Sequence, residues 1–144
     1  MTTEGRKQRI LVVEDEDNIA IALNYLLTRE GYEQDRIATG AGAVDRIRAE
    51  RPDLVLLDVM LPEVSGYDIC QSVRSDPALA DVRILMMTAR GSAMERRKGM
   101  AMGADGFITK PFELKALREE VRRILGNGVA AHTPAAQVAG QDNA

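Results

Sequence analysis

The sequence has few of the features that mark secreted, membrane-spanning or nucleic-acid-binding chains. Its single cysteine, Cys70, excludes a disulfide within the chain and is typical of a reducing, cytoplasmic compartment. No apolar run approaches the roughly 20 residues of a membrane helix, and the polar start, residues 1–9, does not resemble a signal peptide. A net charge of -3 gives no electrostatic reason to expect nucleic acid or an anionic membrane as a partner.

What the chain does have is a regular alternation of two patterns. Its 144 residues suffice for one domain with a buried core. Short apolar runs alternate with segments whose apolar residues recur at helical spacing, which predicts five strands and five helices. The predicted strands are 9–13, 35–39, 52–58, 82–89 and 106–110, and the predicted helices are 17–30, 41–50, 66–76, 92–102 and 113–125.

Strands that read as continuous apolar runs favour a parallel sheet with helices on both faces, an α/β fold. We expect an N-terminal extension over 1–8, one domain over 9–126 and a flexible tail over 127–144, where periodicity ends. The inward stripe predicted for the last helix consists of Leu114, Leu117, Val121 and Leu125.

Polar residues follow four of the five predicted strands. Glu14 and Asp15 end the first strand, Asp58 the third, Thr88 the fourth and Lys110 the fifth. Because the carboxyl ends of parallel strands lie along one edge, where such sheets bind their ligands, we expect these side chains to share one pocket.

This set of groups suits phosphoryl chemistry. Three clustered carboxylates repel one another and need a cation, and Mg²⁺ takes carboxylate oxygens and waters. The ammonium of Lys110 suits a carboxylate or a phosphoryl oxygen, and the hydroxyl of Thr88 can donate one hydrogen bond to the same group. Asp58 would then be the nucleophile toward phosphorus, forming an acyl phosphate.

Each residue also has a structural interpretation. Asp58 alone would often cap the turn after its strand, and Glu14 or Asp15 could cap the first helix. Thr88 alone is typical of a strand residue, and Lys110 alone of a solvated lysine. The functional interpretation rests on their conjunction at one sheet edge.

With these residues in place, the sequence resembles the receiver domain of two-component response regulators. The resemblance covers residues 9–125 and is carried by the motifs ILVVEDE, LVLLDVMLPEVSG, ILMMTA and GADGFITKPF. It implies a flavodoxin-like fold whose five-stranded parallel sheet has the order 2-1-3-4-5.

By position, the resemblance implies that Asp58 is the phospho-acceptor. It also implies that Asp15 binds Mg²⁺ (or Mn²⁺) directly, that Glu14 acts largely through water, and that the main-chain carbonyl of Met60 is a further ligand. Met60 is apolar where many members are polar, and our hypothesis is that it shields the acyl phosphate from water.

The resemblance also implies a switch. Thr88 corresponds to the switch hydroxyl, Lys110 to the phosphate-binding lysine and Phe107 to the switch aromatic. Phe107 lacks the hydroxyl of the tyrosine found in many members, and it could equally be a core residue. The Lys110–Pro111 peptide bond is expected to be cis, as it often is in the family.

The function implied is a phosphorylation switch rather than an enzyme, one that catalyses only its own phosphotransfer and dephosphorylation. The expected donors are a sensor histidine kinase, a phosphotransfer protein or a small acyl phosphate. The expected reader is a downstream effector, unknown in identity, at the face formed by the fourth helix, fifth strand and fifth helix.

Three alternatives stand beside it. A phosphatase of the haloacid dehalogenase type would carry a second aspartate where this chain has Met60. A receiver fold that has lost phosphorylation would lack part of the pocket. A DNA-binding role has poor support, because few residues follow Leu125 and the RRKG and RRILG segments are typical of solvated helix faces. The chain is thus either a stand-alone regulator or a receiver cut from a longer regulator or hybrid kinase.

Overall fold

The computed structural model of the protein describes residues 7–89 and 91–126, and the predicted alternation of strands and helices is present there. A short 3-10 turn, Pro77–Leu79, was not predicted. The strands are β1 (Arg9–Val13), β2 (Glu33–Ile37), β3 (Leu54–Asp58), β4 (Arg83–Thr88) and β5 (Gly106–Thr109), and the helices are α1 (Asp17–Arg29), α2 (Ala43–Glu50), α3 (Gly66–Arg74), α4 (Ala93–Ala101) and α5 (Leu114–Gly126).

The five strands form one parallel sheet in the order β2-β1-β3-β4-β5. This order confirms the expected flavodoxin-like topology. All five carboxyl ends therefore point to one edge of the sheet, and the chain reverses its direction of winding between β1 and β3 at that edge.

Two apolar layers cover the sheet, one on each face. In β3 every residue is buried: Val55 and Leu57 face the layer built with α2 and α3, while Leu54 and Leu56 face the layer built with α1 and α5. Because successive strand residues point to opposite faces, a strand buried on both sides must be apolar throughout. The run that precedes Asp58 is this central strand.

The predicted bounds of the edge strand β2 were wrong: the sequence pattern placed it at 35–39, and it spans Glu33–Ile37. It pairs with β1 from Arg9 opposite Glu33 to Val13 opposite Ile37, so it ends before Thr39. As an edge strand it is only half buried and carries charged residues, so its hydrophobic pattern is weak. The helix after it begins at Ala43 rather than Ala41, because Gly42 occupies the left-handed region (φ 79°) just before it.

The inward stripe of α5 was partly wrong. Leu117, Val121 and Leu125 are buried, but Leu114 is 39% exposed. Leu114 is the first residue of α5 and lies beside the cleft at the sheet edge, beyond the reach of the core. Ile124, near the other end of α5, is buried on the inward face although it was not predicted to be.

Three further expectations concern the peptide bond before Pro111, membrane-spanning helices and the two ends of the chain. The Lys110–Pro111 bond is cis, as expected. Within residues 7–89 and 91–126, no helix is long and apolar enough to cross a membrane. The predicted tail over 127–144 and most of the predicted N-terminal extension lie outside the described residues.

Burial is expected to make the cysteine thiol inert. Cys70 is fully buried on α3, and burial raises its pKa to about 11, with the positive charge of Arg74 opposing and the negative charge of Asp105 adding to the rise. Because the thiolate is the reactive form, iodoacetamide at pH 7.5 should alkylate the folded protein at least about 100-fold more slowly than the urea-unfolded protein. Mass spectrometry measures both rates, and equal rates would contradict this account.

The close packing of α3 against the end of β3 predicts that a larger residue at position 66 destabilises the fold. A Cβ on Gly66 would lie 2.4 Å from the carbonyl oxygen of Asp58 and 2.8 Å from the Cα of Val59, and neither backbone atom can rotate away. Gly66→Ala should therefore lower the free energy of unfolding by about 1–3 kcal/mol, measured by urea denaturation. The control is Gly126→Ala, where the new methyl meets nothing within 4 Å. Equal stability of the two variants would show that the backbone at Asp58 and Val59 moves aside without cost, and it would contradict this prediction.

Candidate functional site

The carboxyl edge of the sheet brings the predicted polar residues together. Glu14, Asp58 and Thr88 are buried (0%, 2% and 1% exposed), and the side chain of Lys110 is 13% exposed. Asp15 lies at the exposed rim beside them. Four of the five residues are thus charged or polar groups withdrawn from water, which costs free energy unless partners are present.

Asp58 has a different partner for each carboxylate oxygen. Oδ1 accepts a hydrogen bond from the backbone N–H of Met60 at 3.0 Å, and Oδ2 lies 3.3 Å from Nζ of Lys110. The first contact caps the turn after β3, as the structural interpretation of Asp58 supposed, and the second faces the cluster of charged groups. One side chain therefore has both roles.

Lys110 is the positive centre of the site. Its Nζ lies 2.8 Å from Oε1 of Glu14 and 3.9 Å from Oε1 of the more exposed Glu16. Burial works to lower the pKa of Lys110, but the hydrogen bond to Glu14 and the negative charges of Asp58 and Glu14 outweigh it and raise the pKa overall. The lysine is therefore charged across the physiological range and is not a solvated strand-end residue.

Glu14 is the most deeply buried acid. Burial raises its pKa and the charge of Asp58 adds to the rise, while Lys110 and the backbone N–H of Glu16 oppose it. Its Oε2 accepts that N–H at 3.0 Å, so the carboxylate is held from both sides. Glu14 and Asp15 do not cap α1: Glu16 occupies the cap position and makes no side-chain cap bond.

The acids fit a divalent cation. One carboxylate oxygen from each of Glu14, Asp15 and Asp58 lies within 4.8 Å of the others. Oxygens in the shell of an octahedral ion at about 2.1 Å lie up to about 4.2 Å apart, so the three carboxylates are close to the spacing of one coordination shell. The donor set is hard oxygen throughout, which favours Mg²⁺ over softer metals.

Sequence reasoning missed a residue that fixes the backbone of the site. The guanidinium of Arg36 donates two hydrogen bonds to the carbonyl oxygen of Glu14, at 3.0 and 2.8 Å, and contacts Asp17 at 3.0 Å. It lies near the end of β2, where the sequence read as a weak strand, and no motif marked it. The start of α1 is thereby tied to the edge strand beside the acids.

The expected switch residues lie behind the acids. Thr88 ends β4, and its carbonyl oxygen accepts a hydrogen bond from the backbone N–H of Lys110 at 2.7 Å. Phe107 is a residue of β5 and is 2% exposed. Its ring faces α4, where the guanidinium of Arg96 lies 5.5 Å from the ring centroid. Phe107 is therefore part of the core in this structure, next to the helix that the switch hypothesis requires to move.

A cleft of about 660 Å³ opens above the site. Asp15, Asp58 and Lys110 form its polar end, while its remaining wall includes Ile19 and Phe112. Met60 is 51% exposed and lines this cleft, as expected from its position two residues after Asp58. Met60 is therefore placed to contact a ligand that binds in the cleft at Asp58.

Comparison with known proteins agrees with this geometry. A family model described as the response regulator receiver domain matches residues 10–122. The phosphate regulon transcriptional regulatory protein PhoB of Rhizobium meliloti (strain 1021) is 43% identical over 117 residues, which are 81% of this chain and 52% of that protein. The chain spans about half the length of the curated relatives it matches.

Solved structures share the fold along nearly their whole length. The chemotaxis response regulator CheY4 of Vibrio cholerae has a TM-score of 0.78 at 29% identity, covering 83% of this chain and 99% of that one. The receiver domain of sensor histidine kinase PA1611 from Pseudomonas aeruginosa PAO1, with a magnesium ion coordinated in its active site cleft, has a TM-score of 0.76 at 28% identity, covering 83% and 98%. With its family model, its relatives and its sheet topology in agreement, the chain belongs to the receiver domains of two-component response regulators.

Proposed function

We propose that Asp58 is the phospho-acceptor of this receiver domain and that its phosphorylation requires Mg²⁺ (or Mn²⁺). The observation that carries the proposal is the placement of Asp58 Oδ2 beside Lys110, within one cluster that also holds Glu14 and Asp15. A carboxylate that lies beside a lysine ammonium and two further acids, and that opens onto a cleft, is suited to phosphoryl transfer.

The chain's own residues contribute positioning and charge. A carboxylate oxygen of Asp58 attacks phosphorus, and the new O–P bond forms as the P–N or P–O bond of the donor breaks. Lys110, held by Glu14, offsets negative charge on the transferring group. Asp15, Asp58 and the Met60 carbonyl would hold the metal ion directly and Glu14 largely through water, and the ion would supply further positive charge at the site.

The phosphoryl group then acts as a switch. It replaces the single negative charge of the Asp58 carboxylate by about two on the acyl phosphate and adds strong acceptor oxygens. The hydroxyl of Thr88 donates to one of these oxygens and Lys110 pairs with another. The space vacated by Thr88 then lets the ring of Phe107 turn inward. The face formed by α4, β5 and α5 changes in consequence, and an effector binds one of its two states.

The partners follow from this role. The donor is a sensor histidine kinase, a phosphotransfer protein or a small acyl phosphate, and the protein returns to its starting state by hydrolysing its own acyl phosphate. We propose that residues 9–126 form the receiver and that 1–8 and 127–144 flank it. The matched relatives are about twice as long as this chain, and we propose no direct contact with nucleic acid within residues 9–126.

Treatment with acetyl phosphate and Mg²⁺ should add one phosphoryl group to the protein, seen on a Phos-tag gel and by mass spectrometry. Asp58→Asn, which keeps the size but lacks the nucleophile, should show background labelling only, and EDTA should abolish labelling of the wild type. The control is Asp81→Asn, an exposed aspartate beyond the opposite edge of the sheet. Labelling of Asp58→Asn at the wild-type level would remove the proposal.

Met60 should prolong the life of the acyl phosphate. Its half-exposed apolar side chain lines the cleft next to Asp58 and limits the approach of water. Met60→Asn should therefore lose phosphate at least about threefold faster, because an amide can orient an attacking water. The decay of labelled protein after donor removal measures the rate. Ile21→Asn, at an exposed position on α1 (66%), is the control, and an unchanged decay of Met60→Asn would exclude shielding.

A further inference from the structure

Helix α4 is held to the domain by few apolar contacts. All nine of its residues are described, and only Gly99 among them is buried, while Met94 and Met100 are 71% and 43% exposed. In contrast, α1, α3 and α5 each bury four or more residues. Since a glycine has no side chain to bury, the side chains of α4 itself contribute little hydrophobic burial, and the contact of the helix with Met86 and Phe107 is made by its backbone at Gly99.

The C-terminal end of α4 is fixed by polar contacts to α3. Nε of Arg74 donates to the carbonyl oxygen of Gly103 at 2.8 Å, and its Nη2 pairs with Oδ2 of Asp105 at 2.8 Å. The thiol of Cys70 lies 3.5 Å from the carbonyl oxygen of Met102. Because Arg74 and Asp105 are largely buried, this end is a firm attachment point.

The N-terminal end of α4 is held by one aromatic side chain of α3. The hydroxyl of Tyr67 donates a hydrogen bond to the carboxylate of Glu95, and Nζ of Lys98 lies 4.3 Å from the centroid of its ring. Glu95 and Lys98 are three residues apart on one face of α4, so both contact the same ring. We call Tyr67, Glu95 and Lys98 the Tyr67 clamp.

The α3 residue of the Tyr67 clamp is connected to the acceptor site through the start of α3. Gly66, the residue before Tyr67, donates its N–H to the carbonyl oxygen of Val59 at 3.0 Å and packs against the backbone of Asp58. Tyr67 also lines a second cleft, of about 600 Å³, together with Asp15 and Met60. The tyrosine is therefore anchored to the loop that follows Asp58.

The N-terminal end of α4 is also joined to the same site through β4. The strand ends at Thr88 and α4 begins at Ala93, so the connection is short. We expect a shift of the end of β4, as Thr88 moves toward a phosphoryl group, to reach the first turn of α4 through this connection. Glu95 lies in that turn, and Tyr67 holds it to α3.

We propose that the Tyr67 clamp sets the position of the N-terminal end of α4 and opposes its displacement when Asp58 takes up a phosphoryl group. The C-terminal contacts of Arg74 act as the pivot. Tyr67 is thus a positioning residue, and the strength of its contact to Glu95 sets how readily the domain switches. This inference rests on the proposed function of Asp58.

The test measures binding of the phosphoryl analogue beryllofluoride, with Mg²⁺, by titration calorimetry, since the chain has no tryptophan to report binding by fluorescence. Tyr67→Phe keeps the ring but removes the hydroxyl, and should bind about 3- to 10-fold more tightly, because a hydrogen bond to a charged group no longer opposes the switched state. Glu95→Gln keeps an acceptor and should give a smaller gain.

Hydrogen exchange supplies the second measurement, without the analogue. Amides 95–101 should exchange about 3- to 10-fold faster in Tyr67→Phe, while those of α3 and β3 should not change. The control is Tyr25→Phe, because the hydroxyl of this exposed tyrosine contacts only α1, where it accepts from Arg29 among the described bonds.

The outcomes separate the two proposals. Unchanged or weaker analogue binding in Tyr67→Phe, or unchanged exchange of α4, would overturn the role of the clamp while leaving Asp58 as acceptor. A wild-type protein that binds no analogue and takes no label from acetyl phosphate would overturn the proposed function and the clamp with it. Tighter binding in Tyr67→Phe but not in Tyr25→Phe would support the clamp.

Discussion

The burial of a charged lysine among carboxylates is the constraint on which the rest of the site depends. Withdrawing these charges from water costs several kcal/mol for each ion, and their mutual contacts, together with the backbone N–H groups of Glu16 and Met60, offset that cost. Lys110 contacts Glu14 at 2.8 Å and Asp58 at 3.3 Å, so one ammonium serves two acids. The acids still outnumber the local positive charge, and this surplus of negative charge is what gives a divalent cation its place.

The parallel sheet makes this arrangement possible. The charged groups come from the ends of three strands, β1, β3 and β5, and the packing of the sheet between two apolar layers fixes the relative positions of these ends. The site is therefore built on rigid elements, while its variable parts lie in the loops above. Separate control of stability by the strands and of chemistry by the loops is a general property of such folds.

The sequence predicted most of this because the informative residues are local to their strands. The run before Asp58 shows a strand buried on both faces, and the strand ends then identify the site. The pairing of β2 and the roles of Arg36, Gly66 and Tyr67 could not be predicted in the same way, because each depends on a neighbour distant in sequence. An arginine that binds a carbonyl oxygen 22 residues away leaves no periodic signal. Leu114 matched the helical period, but it lies beyond the edge of the core.

The shallow attachment of α4 has a consequence for how the protein tolerates change. Gly99 is the one buried residue of this helix, and no residue of α4 belongs to either apolar layer. Folding and response are then carried by largely different residues. Substitutions on the outer face of α4 can accumulate without unfolding the domain, so the surface offered to an effector is free to diverge while the machinery beneath it is retained.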